Sequence, residues 1–209
     1  MTRSILEFES CLFKALVFAL RHAPEVWGIE LDHQGWTDVR TLIETLGLAD
    51  SRLAFVHERD LKRLVRRQSF RFEWQDDRIR ALYGHSVPFD PGPNERPPEY
   101  LLHVTAMAAW ADILREGLTS QGRPFVHLTT DRSYANLVGQ KHGADSVLVV
   151  VSAGAAHSLG QRFWRANESI WLTETLSPAH LCLESESIAN SKREYSQPSI
   201  AHQSSTKNE

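Results

Sequence analysis

Five short polar signatures occur along this sequence at positions where helices or strands are expected to end. Each contains an arginine, a histidine or a threonine, and the five are Arg21-His22, Arg80 to Ser86, His103 with Thr105, His127 with Thr129, and Ile170 to Thr173. Arginine presents a planar fork of N–H donors that fits phosphate oxygens, and histidine changes charge near neutral pH. These residue types at the ends of elements indicate a site that binds phosphate groups.

Taken alone, each basic signature also has a structural explanation. Arg21 and His22 end an apolar helix just before Pro24, where cations complement the helix dipole and cap free carbonyl groups. Arg80 lies in a strand-like segment, where an arginine often pairs with a carboxylate across the sheet, here with Glu73. The residues by themselves therefore leave both interpretations open.

Composition and charge set limits on the function. Of the 209 residues, 42% are hydrophobic and 23% are charged, and the net charge is −3. A negative net charge argues against general coating of nucleic acids, which depends on summed positive charge. Basic residues do gather on one predicted helix face, which is interpreted equally well as a solvated face or as a contact surface for a phosphate backbone; they are Arg59, Lys62, Arg63, Arg66 and Arg67.

Other classes of protein are disfavoured by what the sequence contains. Cys11 and Cys182 are too few for a disulfide framework or a zinc site, and neither an HExxH nor a CxxC motif occurs, so no metal is expected. No apolar run approaches the roughly 20 residues that a membrane-spanning helix needs, and the N-terminus does not resemble a signal peptide. We expect a cytoplasmic monomer that does not contact a membrane.

The first part of the chain is predicted to form a winged-helix-like unit over residues 1–86. Apolar spacing and cap residues predict an amphipathic helix over 5–20, a helix over 39–46 capped by Thr37 or Asp38, and a helix over 54–68. A short strand is predicted at 28–32, and a hairpin is predicted from segments 70–74 and 78–82. Helices followed by a hairpin are typical of winged-helix domains.

The second part is predicted to be a separate α+β lobe over residues 99–184. Five prolines between residues 87 and 98 predict a stiff linker before it, and a polar tail over 185–209 is predicted to be disordered. Strands are predicted at 100–103, 125–128, 146–151, 169–173 and 180–183, and helices at 107–115 and 131–142.

Seven segments, in order, resemble the motifs of the RNA 2′-phosphotransferase family over roughly residues 10 to 184. In the family's wording they are Leu-Arg-His-x-Pro (20–24), Leu-Asp-x-x-Gly-Trp-x-x-Val (31–39), Arg-Ala-x-x-Gly-His-Ser (80–86), Pro-Pro-x-x-Leu-x-His-Gly-Thr (97–105), His-Leu-Ser (127–129), Val-Gly-x-Arg-x-Gly (138–143) and Asn-Gly-Val-Trp-Leu-Thr (167–173). The resemblance implies an N-terminal winged-helix lobe for RNA and a C-terminal ADP-ribosyltransferase-type mixed β lobe for NAD.

The resemblance also implies a two-step reaction. The RNA 2′-phosphate attacks the nicotinamide-bearing ribose carbon of NAD and expels nicotinamide. The 2″-hydroxyl of the attached ADP-ribose then attacks phosphorus, which releases RNA with a 2′-hydroxyl and ADP-ribose 1″,2″-cyclic phosphate. In these steps Arg21, Arg80 and Lys141 would hold phosphate, and His22 would complete the clamp and move a proton.

The NAD-binding residues follow from the same resemblance. His103 and Thr105 match the motif that holds the ribose and the amide of NAD, with His127 and Thr129 beside them. Ile170 occupies a position that many protein-modifying ADP-ribosyltransferases fill with glutamate. A phosphate nucleophile does not need a carboxylate base, so an apolar residue there agrees with the implied reaction.

Three departures from the family motifs keep alternatives open. Val104 replaces a glycine, Leu82 and Tyr83 replace a more polar pair, and Lys141 replaces an arginine, which keeps the charge but loses the bidentate geometry. One alternative is an enzyme that stops after the first step and leaves ADP-ribose on a terminal phosphate of RNA or DNA. The other is a winged-helix nucleic-acid-binding protein without catalytic activity.

Overall fold

The computed structural model describes residues 5–142 and 145–184, and the predicted tail over 185–209 lies outside them. Within the described residues the chain forms a three-stranded sheet and a six-stranded sheet, each built from antiparallel strand pairs. The fold is thus a mixed α/β arrangement. No helix in this part of the chain is long and apolar enough to cross a membrane.

The N-terminal half (residues 5–86) places three helices against the smaller sheet. The elements are α1 (Ile5–Arg21), β1 (Trp36–Asp38), α2 (Val39–Ala49), α3 (Glu58–Arg67), β2 (Phe72–Gln75) and β3 (Arg78–Ala81). The strand order is β1-β3-β2, and the core between helices and sheet includes the fully buried Leu16, Leu42 and Ile79. As predicted, Asp38 caps α2, because its carboxylate accepts a hydrogen bond from the Thr41 amide at 2.8 Å.

Two local predictions in this half are wrong. Residues 28–32 do not form a strand; instead a 3₁₀ turn over Pro24–Trp27 ends at Gly28, whose backbone is left-handed with φ of 65°. The third helix begins at Glu58 rather than near residue 54, since the Asp60 carboxylate accepts a hydrogen bond from the His57 amide and fixes the start there.

The C-terminal half (residues 99–142 and 145–184) surrounds the larger sheet. Its elements are β4 (Leu101–Ala106), α4 (Trp110–Glu116), β5 (Val126–Thr129), α5 (Arg132–His142), β6 (Ser146–Val151), α6 (Ala153–Ser158), β7 (Phe163–Arg165), β8 (Ile170–Thr173) and β9 (Leu181–Leu183). The strand order is β7-β8-β5-β4-β6-β9. Helix α6 and strand β7 were not predicted, because neither short segment carries a distinct apolar period.

An aromatic cluster joins the two halves. Tyr83 from the N-terminal half lies in one buried group with Trp164 and Ile170 from the C-terminal half, and Phe70 packs against it. The Asn167 side chain donates a hydrogen bond to the Phe70 carbonyl at 2.6 Å across the same boundary. Apolar burial and this hydrogen bond hold the halves together and leave a cavity between them.

The turn after α4 gives a test of backbone strain. Gly117 has φ of 89°, and a Cβ there would lie 2.3 Å from the Leu176 carbonyl oxygen, whereas Gly122 has φ of 81° with open space around it. Gly117→Ala should therefore lower the free energy of unfolding by roughly 3 kcal/mol or more, and Gly122→Ala by only about 1 kcal/mol. Chemical denaturation of both variants measures the difference, and equal losses would contradict the steric argument.

Candidate active site

A cavity of about 600 Å³ lies between the two halves and is lined by residues from both. This volume is within the range of small-molecule binding sites in proteins. The predicted site residues found in its lining are Arg21, His22, His103, Thr105, His127, Thr129 and Ile170. The structure therefore brings together most of the residues that the sequence singled out.

Arg21 is the last residue of α1, and its side chain is only 5% exposed. Its guanidinium carbon lies 5.5 Å from the centre of the Phe72 ring and 5.0 Å from that of Tyr83, and Nη2 donates to the Arg71 carbonyl at 3.4 Å. Gly84 leaves room for it, since a Cβ there would lie 3.1 Å from Nη1. Among the described residues, Nε has no hydrogen-bond partner.

The electrostatic state of Arg21 follows from this environment. Burial, with smaller contributions from the positive charges of Arg71 and Arg123, lowers the pKa of Arg21 to about 10. No carboxylate among the described residues forms an ion pair with it. A buried cation without a counterion is costly, so an anionic ligand would stabilise this arrangement.

His22 follows Arg21 and is held by the last residue of the Gly-His-Ser motif. Its Nδ1 and the Ser86 hydroxyl are hydrogen-bonded at 2.6 Å. Partial burial lowers the pKa of His22, and the charges of Arg21 and Arg123 lower it further. His22 is therefore neutral at neutral pH and can accept a proton.

Two histidines from the C-terminal half, His103 and His127, also line the cavity, and hydrogen bonds hold both rings in place. The Gly84 amide donates to His127 Nε2 at 3.0 Å, and His103 Nδ1 lies 3.0 Å from the His127 carbonyl, to which it donates. Burial lowers the pKa of His127 to about 4, with the nearby charge of Arg123 as the next cause. His127 is consequently a neutral ring with Nε2 as the acceptor.

Three further predicted residues form the floor of the cavity. Thr129 is buried and its hydroxyl accepts a hydrogen bond from the Asp131 amide at 3.0 Å, while Ile170 lies opposite Thr129 on the neighbouring strand. Thr105 lies on β4, two residues beyond His103. Val104, between them, also lines the cavity. This floor offers hydroxyl groups and apolar surface.

Two arginines that the sequence analysis did not select line the cavity, namely Arg71 from the N-terminal half and Arg123 from the C-terminal half. Like Arg21, neither forms an ion pair with a carboxylate of the described residues. Both precede a strand by three residues or fewer, Arg71 before β2 and Arg123 before β5. The criterion of basic residues at element ends would have found them.

Arg80 lies outside the residues that line the cavity. It pairs across the sheet with Glu73, with Nε 2.8 Å and Nη2 2.7 Å from the same carboxylate oxygen. Its guanidinium carbon also lies 4.6 Å from the ring centre of Trp36 on the other neighbouring strand. The cross-strand partner considered from the sequence is therefore present, and the role of Arg80 in the phosphate clamp stays a prediction.

Lys141 also lies outside the lining of the cavity. It is exposed in the last turn of α5, where a cation complements the helix dipole. Its role in the phosphate clamp likewise stays a prediction.

Comparison with known proteins identifies the family. Residues 9–175 match the model of the RNA 2′-phosphotransferase, Tpt1/KptA family. The chain belongs to this family. A protein named "Probable RNA 2′-phosphotransferase" from Agrobacterium fabrum is 41% identical over 187 residues, which cover 86% of this chain and 97% of the relative. A protein of the same name from Acetivibrio thermocellus is 37% identical over 177 residues, with 84% and 97% covered.

Membership in the RNA 2′-phosphotransferase family implies a substrate class for this chain, which is RNA that carries a 2′-phosphate. The matched span includes the cavity residues Arg21, His22, Arg71, His103, Arg123 and His127. Among the described residues, no group of three or more His, Cys, Asp or Glu side chains is placed to hold a metal ion. The polar side chains that line the cavity include guanidinium, imidazole and hydroxyl groups, together with the carboxylates of Asp112 and Glu116, which pair with Arg115.

His85, in the Gly-His-Ser motif, makes the stability depend on pH. It is 1% exposed, and neither ring nitrogen has a hydrogen-bond partner among the described residues. Burial, and next the charge of Arg21, lower the pKa of His85 to about 3. The unfolded chain binds this proton below about pH 6.5, but the folded chain does not, so the free energy of unfolding must fall as the pH drops from about 6.5 toward 3.

His85→Phe removes this contribution. Between pH 6 and pH 4 the free energy of unfolding of the variant should fall less steeply than that of the wild type, by up to about 1.4 kcal/mol per pH unit. Urea titrations at several pH values measure the slope, which does not depend on the absolute stability of the variant. The same slope in both proteins would mean that His85 is protonated in the folded state.

Proposed function

We propose that this protein removes an internal 2′-phosphate from RNA in an NAD-dependent reaction, with ADP-ribose 1″,2″-cyclic phosphate and nicotinamide as the other products. The observation that carries the proposal is the set of three cavity arginines without carboxylate partners among the described residues. An uncompensated cluster of guanidinium groups suits a phosphate dianion. Family membership supplies the RNA 2′-phosphate as that dianion.

The two halves have separate tasks in this proposal. The N-terminal half, residues 5–86, is a winged-helix lobe that presents RNA. The observation that supports this assignment is the order of its elements, three helices followed by the β2–β3 hairpin, with β1 beside β3 in the sheet. The C-terminal half is an ADP-ribosyltransferase-type lobe that binds NAD as a second substrate. His103, Thr105, His127 and Thr129 offer ring nitrogens and hydroxyls for the ribose and amide groups of NAD, beside the apolar Ile170.

Arg21 and His22 bind the reacting phosphate. The first step joins a phosphate oxygen to the ribose carbon of NAD as nicotinamide departs, and it needs a well-placed anion rather than a base. In the second step the ribose 2″-hydroxyl attacks phosphorus and loses its proton, and the RNA 2′-oxygen leaves and gains one. His22, neutral and hydrogen-bonded to Ser86, accepts the proton from the hydroxyl.

Arg71 and Arg123 extend the phosphate-binding set on the two sides of the cavity. Charge on the equatorial phosphate oxygens increases in the second step, and guanidinium donors close to those oxygens stabilise that charge. Arg80 and Lys141 would join this set only by moving from the positions described above. We therefore assign the larger share of transition-state stabilisation to Arg71 and Arg123.

A direct assay tests the proposed function. An RNA oligonucleotide with one internal 2′-phosphate, incubated with the protein and NAD, should yield the 2′-hydroxyl oligonucleotide, nicotinamide and ADP-ribose 1″,2″-cyclic phosphate in equal amounts. The same oligonucleotide without the phosphate serves as the control. Nicotinamide release with ADP-ribose retained on the RNA would indicate an enzyme that stops after the first step, and RNA binding without nicotinamide release would indicate a binding protein.

Substitution of Arg123 tests the assignment of the arginines. Arg123→Gln should lower the rate of phosphate removal by roughly 10²–10³-fold, the loss typical for one donor to a developing charge. Arg162→Gln is the matched control, because Arg162 is an exposed arginine of the same half that pairs with Glu174 and does not line the cavity. Single-turnover rates at saturating NAD measure both variants.

The same assay on Arg80→Gln distinguishes two roles for Arg80, the ion pair with Glu73 and the binding of phosphate. If Arg80 only pairs with Glu73, the variant should lose stability but keep most of its rate. A rate loss as large as that of Arg123→Gln, with an unchanged melting temperature, would place Arg80 in the clamp. A wild-type rate for Arg123→Gln would remove Arg123 from it.

A further inference from the structure

The guanidinium group of Arg21 is held by aromatic rings. Phe72 and Tyr83 lie 5.5 and 5.0 Å from it, measured from the guanidinium carbon to the ring centres. A cation against a ring face gains electrostatic attraction without using its in-plane N–H donors. A carboxylate partner would have used those donors and neutralised the charge. The rings thus fix Arg21 and leave donors for an anion.

Tyr83 also reaches the other half of the molecule. Its hydroxyl lies 3.3 Å from the hydroxyl of Tyr134, which belongs to α5 and is 51 residues away in sequence. The ring of Phe70 contacts both tyrosines, with centroids 5.7 Å from Tyr83 and 5.0 Å from Tyr134. Tyr83 therefore contacts Arg21 through its ring and the C-terminal half through its hydroxyl.

The environment of Tyr83, which lines the cavity, does not suit a role as a base. The side chain is 5% exposed. Burial, and next the hydrogen bond with Tyr134, raise the pKa of Tyr83 well above its ordinary value, so the phenol keeps its proton at every working pH. What Tyr83 can contribute is position.

We propose that the Tyr83–Tyr134 hydroxyl pair sets the position of Arg21 relative to the C-terminal half, so that a phosphate bound by Arg21 lies in line with the group that it attacks. The inference rests on the proposed function, because it needs a reaction between substrates held by different halves. Misplacement by about 1 Å costs such reactions on the order of 10²-fold in rate. Tyr83 is then a positioning residue, acting through Arg21.

Removal of single hydroxyl groups tests the pair. Tyr83→Phe and Tyr134→Phe should each lower kcat roughly tenfold and leave the KM for the phosphorylated RNA within about twofold, because Arg21 still rests on a ring. The double variant should be no slower than either single variant, since one interaction is lost in all three. Tyr100→Phe is the control, because Tyr100 is 60% exposed and does not line the cavity.

Removal of the ring tests the contact with Arg21. Tyr83→Leu should reduce roughly tenfold the preference in binding for a 2′-phosphorylated oligonucleotide over its 2′-hydroxyl counterpart, measured by fluorescence anisotropy without NAD. Tyr83→Phe should keep that preference. A role in packing alone would lower the melting temperature of both variants and leave the preference unchanged.

Three outcomes overturn the proposal. These are multiplicative effects of the two hydroxyl removals on kcat, wild-type kcat in both single variants, and an unchanged phosphate preference in Tyr83→Leu. A wild-type protein that neither removes the 2′-phosphate nor releases nicotinamide would overturn the proposed function itself, and the positioning role with it. The first three outcomes leave the proposed function standing, so the two failures are distinguishable.

Discussion

The burial of Arg21 without a carboxylate partner among the described residues is the constraint around which this molecule is organised. A guanidinium at this depth would be destabilising if water and counterions were replaced by hydrocarbon alone. The structure compensates with two ring faces, one carbonyl and a glycine that leaves space beside Nη1. The positive charge of Arg21 is still not neutralised by these groups. An anion bound in the adjoining cavity would neutralise it.

The neighbouring groups follow from this constraint. His22, His85 and His127 all have pKa values lowered by burial and by nearby arginines, so they stay neutral beside the buried charge. Protonated rings would add to the repulsion that Arg21 already experiences from Arg71 and Arg123. A bound phosphate reverses these effects, because its negative charge favours the protonated form of an adjacent imidazole. In the proposed reaction, substrate binding would therefore favour the transfer of a proton to His22.

Local sequence patterns correctly predicted most of the helices and strands. The amphipathic period of α1, the cap at Asp38 and the β2–β3 hairpin were all predicted correctly, because each depends on residues close in sequence. The segment at 28–32 failed because Gly28 takes a left-handed backbone that ends a 3₁₀ turn, which a short apolar alternation does not reveal. The contact of Tyr83 with Tyr134 depends on the packing of the two halves and was not accessible from either segment alone.

In the candidate site, too, local sequence motifs identified some residues, and others became evident only from the folded structure. Motif resemblance selected Arg80 for its position in a signature, but side-chain direction alternates along a strand, and the cross-strand neighbours of Arg80 are Glu73 and Trp36. Arg71 and Arg123 stand just before strands but belong to none of the signatures that the sequence analysis selected, and the fold brings them to the cavity from opposite halves. The buried guanidinium of Arg21 has no carboxylate partner among the described residues, whereas that of Arg80 has one in Glu73. In this molecule the pairing of charges therefore distinguishes the arginines that we propose to bind phosphate from Arg80, which pairs with Glu73.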